Sequence, residues 1–63
     1  MPTIIIEGPP LADIDKKRKL VAETSASASA AYGLPVEAMV VLIKESQPEN
    51  VGVGGRLLVD RKK

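Results

Sequence analysis

The stretch from Asp13 to Gly33 constrains this chain most, because it is one uninterrupted helical segment set between two strand-like runs. Asp13 is placed as an N-cap, and Gly33 followed by Pro35 is a stop signal. The roughly 19 residues between them predict a helix about 28 Å long. Its apolar stripe is expected at Ile14, Val21, Ala28 and Tyr32, flanked by Leu20, Thr24 and Ala31. The run SASASAA within it reads as helix lying close on a sheet, since alanine favours helix and small side chains permit close approach.

Ahead of the helix, TIIIE at 3–7 carries three isoleucines and a β-branched threonine and predicts a strand. Gly8, Pro9 and Pro10 end it, because proline cannot donate to a ladder. Behind the helix, EAMVVLIKE at 37–45 predicts a second strand, and its continuous apolar run suits a strand covered on both faces. SQPEN reads as a turn, and VGVGGRLLVD as a short hairpin around Gly54-Gly55. Strand, helix, strand makes a right-handed unit with parallel strands. The expected fold is therefore α+β: one domain over residues 1–63, a β-α-β protomer with a C-terminal β-hairpin.

A single helix cannot cover a two-stranded sheet, and 63 residues bury too little surface for a secure private core. The chain has no cysteine and no histidine, which removes disulfides and the usual zinc sites. With Tyr32 its sole aromatic, the core must be aliphatic. Self-assembly is the remaining remedy. Nine basic against eight acidic residues leave no electrostatic footprint of a nucleic-acid binder. No run approaches the roughly 20 apolar residues of a membrane span, and no leader is visible. The expectation is a cytoplasmic homo-oligomer without nucleic-acid or membrane partners.

Most candidate sites reduce to ordinary structure. Ser25, Ser27 and Ser29 lie in the helix far from any evident base. The carboxylates show no metal-cluster spacing, and Glu7 and Glu45 read as solvated strand ends. KKRK at 16–19 wraps most of the helix circumference, so it reads as a solvated helix end. GVGG at 52–55 lacks the lysine and spacing of a phosphate loop.

Pro2 is different. Removal of Met1 would leave a secondary amine heading a strand. An α-amino group titrates near 7.7–8.0 in peptides, and an apolar setting lowers that value. Such a base suits proton abstraction beside a carbonyl.

The order Pro2, strand, long helix, GLP at 33–35, strand and NVGVGG at 50–55 resembles the 4-oxalocrotonate tautomerase family over the whole chain. The resemblance implies a trimer of dimers, a homohexamer, catalysing cofactor-free keto-enol tautomerisation with Pro2 as general base and then acid and no metal. The implied small-molecule substrate is an unsaturated 2-hydroxy acid or a related enol. The chain also departs from the family. In ungapped register the two substrate-binding arginines fall at Ala12 and Val40, the loop backbone donor near Pro9, and the pocket aromatic at Val51. Val40 and Val51 are therefore expected to line the site, while Arg56 and Arg61, after the hairpin turn, are the candidate replacement cations. Without those arginines, an oligomer that keeps the fold but not the chemistry is the alternative.

Overall fold

The structure is a computed structural model and describes residues 2–60. Strand β1 (Thr3–Gly8) leads through a short loop into helix α1 (Ile14–Tyr32). A 3₁₀ turn (Val36–Ala38) precedes strand β2 (Val40–Glu45), and a second (Pro48–Asn50) precedes the hairpin of β3 (Gly52–Val53) and β4 (Arg56–Leu57). A third 3₁₀ turn (Leu58–Asp60) follows. Strands β1 and β2 pair in parallel, from Thr3 opposite Val40 to Gly8 opposite Glu45. Strands β3 and β4 form a separate antiparallel sheet.

The helix has the bounds its capping residues predict. The Asp13 carboxylate accepts the Asp15 N–H at 2.9 Å, satisfying one of the free donors of the first turn. At the other end Gly33 adopts φ 68°, ψ 31°, the left-handed conformation that glycine takes without a Cβ penalty. Its N–H and that of Leu34 both donate to the Ser29 carbonyl, at 2.9 and 3.3 Å. The hairpin turns on Gly54 and Gly55, at φ 62° and 83°, as a two-residue turn with both central residues at positive φ requires.

Two expectations are corrected. The second strand starts at Val40, not Glu37: Pro35 is extended at φ −65°, and residues 36–38 coil into a 3₁₀ turn in which the Pro35 and Val36 carbonyls accept the Ala38 and Met39 N–H groups. The inward stripe of α1 holds in its middle, where Leu20, Val21, Thr24 and Ala28 are half-buried as predicted, and fails at its ends. Ile14 and Tyr32 stand 56% and 66% exposed, while Ser25, at 7%, is the one buried residue among those described. The half-buried side chains around it are Leu20, Val21, Thr24, Ala28 and Ser29. The small residues of SASASAA therefore mark where helix and sheet approach closely.

Strand β1 alternates regularly: Ile4 and Ile6 face α1, and Thr3, Ile5 and Glu7 face away. The outward face carries exposed Ile5 and Leu42, so the covering expected on both sides of β2 exists on one side only. No apolar side chain among the described residues is buried. The chain extends 43 × 24 × 16 Å with a radius of gyration of 15.0 Å. A compact domain of this length would have roughly 11 Å. Among the described residues no helix is long and apolar enough to cross a membrane.

Asp13→Ala removes the N-cap acceptor and is expected to lower unfolding stability by about 1 kcal/mol. Gly33→Ala forces a side chain into the left-handed region and is expected to cost about 1–2 kcal/mol. Urea unfolding at fixed protomer concentration measures both.

Candidate active site

Pro2 immediately precedes β1, and its carbonyl accepts the Val40 N–H at 3.0 Å. This bond continues the parallel ladder by one step beyond Thr3 and Val40. A proline costs nothing there, because the ladder uses only its carbonyl. The residue is half-buried at the end of the sheet. Val40, the first residue of β2, is half-buried beside it.

The other candidate residues lie at the hairpin, Arg56 on the second sheet and Val51 just before it. Val51 is half-buried and fixed at the base of the hairpin, where its carbonyl accepts the Leu58 N–H at 2.8 Å and its own N–H donates to the Pro48 carbonyl at 3.3 Å. Arg56 opens β4 opposite Val53, directly after the glycine turn, and its side chain is exposed. It has no ion-pair partner among the described residues. No ladder bond joins the two sheets. One chain thus brings Pro2 and Val40 together and carries Val51 and Arg56 at the separate hairpin. Arg61 lies outside the described residues.

The loop between β1 and α1 supplies little that could hold an anion. Pro9 and Pro10 have no N–H, Ala12 is uncharged, and the Leu11 N–H is taken by the Glu45 carboxylate at 3.0 Å. That carboxylate also accepts the Lys17 ammonium at 2.7 Å, with both side chains 29% exposed. The Lys17 hydrogen bond first, and the Leu11 N–H second, hold the Glu45 carboxyl below its ordinary range.

Two expectations are refined here. Glu45 is an exposed strand end, as expected, but its carboxylate is also ion-paired; as Gly8's partner it lies one step past the Glu7–Lys44 pair, and alternation turns it toward the helix while Glu7 faces away. In KKRK, Lys16, Arg18 and Lys19 are exposed as expected, and Lys17 departs from that reading: it is half-buried and paired with Glu45. A lysine one turn into the helix and a glutamate closing β2 are a usable signal only once the parallel register is known. Among the described residues no cluster of three or more metal-binding side chains occurs.

A family model described as tautomerase enzyme matches residues 2–61. The chain belongs to the tautomerase family. Solved tautomerase-family structures share its fold along nearly the whole length. DmpI from Archaeoglobus fulgidus is 44% identical, with a TM-score of 0.85, over 94% of this chain and 100% of that one. TomN, described as a 4-oxalocrotonate tautomerase homologue in the tomaymycin biosynthetic pathway, is 32% identical, with a TM-score of 0.86, over 95% and 92%. A tautomerase from Chloroflexus aurantiacus, described as a heterohexamer, is 26% identical, with a TM-score of 0.86, over 98% and 100%. No curated protein matches the sequence.

Arg56→Ala is expected to leave the assembly and the far-ultraviolet circular dichroism unchanged, and to raise KM for an enol acid about tenfold or more, the worth of one charge-assisted hydrogen bond. An unchanged KM removes Arg56 from the site.

Proposed function

We propose that this protein is a cofactor-independent tautomerase in which Pro2, freed by removal of Met1, shuttles a proton in keto-enol conversion. The observation that carries the reading is the placement of Pro2: its carbonyl is bonded to Val40, so the strand aims a nitrogen that the ladder does not use. As a free secondary amine, that nitrogen would be neutral in part near pH 7, since α-amino groups titrate near 7.7–8.0 and burial depresses them. The neutral amine takes a proton from the enol oxygen or from carbon, becoming an ammonium. It then returns a proton to the other position, so that base and acid are one group.

The substrate class follows from the charges around the amine. Ala12 and Val40 supply no cation, and the loop from Pro9 to Leu11 has no free donor while Glu45 holds the Leu11 N–H. A dicarboxylate would leave one carboxylate without a partner, which is costly in a half-buried site. We assign an unsaturated 2-hydroxy acid, or an arylpyruvate-like enol, with a single carboxylate held by Arg56. Val40 and Val51 then meet its apolar portion.

Because Arg56 and Val51 stand at the separate hairpin, the site is completed by the hairpin of a neighbouring copy. A homohexamer is the assembly we infer, in keeping with the uncovered apolar face of the sheet and the hexameric description of the Chloroflexus relative. We favour catalysis over a silent scaffold because a silent one has no use for a strand-aimed proline nitrogen.

Intact-mass analysis is expected to show a chain lacking Met1. Ketonisation of an arylpyruvate enol should fall by about 10²-fold or more in Pro2→Ala, the usual contribution of a positioned acid-base group. The basic form of the amine must be present, so the rate should rise with pH through the amine pKa. Retained Met1, or Pro2→Ala with wild-type activity, overturns the mechanism. Light scattering should give about 40 kDa, six protomers of 6.7 kDa, and a monomer would overturn the shared site.

A further inference from the structure

We infer that Glu45 is a carboxylate latch that holds the β1–α1 loop closed, and that protonating it releases the loop while the rest of the protomer stays folded. The loop from residue 9 to residue 12 has one hydrogen bond to the rest of the chain among the described residues, from the Leu11 N–H to Glu45 Oε2. Nothing else in the segment substitutes for it. Pro9 and Pro10 have no donor, Pro9, Pro10 and Ala12 are exposed, and Leu11 is only half-buried. The preceding anchor is the Ser46 N–H donating to the Gly8 carbonyl at 2.9 Å, and the following one is the Asp13 cap. Between those fixed ends the loop depends on one acceptor.

That acceptor is itself held by charge. The same Oε2 receives Lys17 Nζ at 2.7 Å from the second turn of α1, so helix, loop and strand end converge on one oxygen. The surrounding charges are few. On α1 the neighbouring Arg18 is engaged by Asp15. On the sheet, Lys44 and its register partner Glu7 belong to the opposite face. The loop contributes no titratable group. Lys17 is therefore the charge that governs Glu45.

The direction follows from the chemistry. Both partners donate to the ionised carboxylate, which lowers its folded-state pKa. The latch is fully made above the ordinary glutamate range and is lost as pH falls through that lowered value. A protonated carboxyl keeps a weaker acceptor but loses the ion pair, so the loop opens locally before the helix does.

The inference does not rest on the reading of Pro2, and its test needs no activity. In the full-length protein, the Leu11 amide proton shift is followed by NMR against pH together with the Glu45 carboxyl carbon. The two are expected to titrate with one midpoint below about 4.3, the ordinary glutamate value. Leu11 exchange, corrected for its intrinsic pH dependence, should quicken about tenfold across that midpoint, the factor of one charge-assisted hydrogen bond, while amides at Ala22 and Ala26 stay protected. Lys17→Met should move the midpoint upward. Glu45→Gln should abolish the titration at Leu11. A Leu11 amide that ignores the Glu45 midpoint overturns the latch. So does loss of protection at Leu11 and Ala22 in a single step, since the loop then opens only with the fold.

Discussion

One helix can cover only one face of a two-stranded sheet, and the rest of this structure follows from that shortage. α1 lies on the face made by Ile4, Ile6, Val41 and Ile43 and leaves Ile5 and Leu42 bare on the other. The hairpin packs on neither face as a third strand but forms its own sheet. The chain consequently exposes 5058 Å², whereas a compact monomer of its mass exposes roughly 3,900 Å². The excess, roughly 1,100 Å², exceeds the roughly 800 Å² that each partner contributes to a standard protein interface. The apolar residues left outside (Ile5, Ile14, Tyr32, Leu42, Val53, Leu57 and Val59) are spread over helix, sheet and hairpin. Their distribution suits burial on several sides rather than at one patch.

The same shortage explains the divided site. Pro2 and Val40 sit at one end of the parallel sheet, where the ladder fixes them. Val51 and Arg56 are fixed at the hairpin, whose two glycines at positive φ set its turn. Each half is locally well determined. In the proposed function their juxtaposition is supplied by assembly.

Features governed by neighbouring residues were legible in the sequence. Asp13, Gly33 and Pro35 bounded the helix because capping is decided within one turn, and Gly54-Gly55 marked the hairpin because a two-residue turn needs positive φ at both places. The beginning of β2 was misplaced by three residues, since Glu37-Ala38-Met39 carries no local signal that separates a 3₁₀ turn from a strand. The middle of the helix stripe, at Leu20, Val21, Thr24 and Ala28, was legible, but a pattern of hydrophobicity showed neither that its ends at Ile14 and Tyr32 stand exposed nor that Ser25 is the residue buried most deeply. The pairing of Lys17 with Glu45 was missed for a related reason: they are far apart in the chain, and only the parallel register brings them together. Among the candidate site residues, Pro2 stood out by its chemistry, whereas Arg56 stands on a different sheet from Pro2 and Val40.

The bond from the Val40 N–H to the Pro2 carbonyl also has a kinetic meaning. It joins the first strand to the second across the entire helix, so the chain must close a long loop before that contact rewards it. α1, by contrast, is built from contacts between near neighbours and can form early. Pro2 is thus held by a contact that closes late relative to those within α1. Its nitrogen acquires a fixed direction only when the crossover is complete, so the order of folding keeps the proposed base unformed until the sheet that aims it exists.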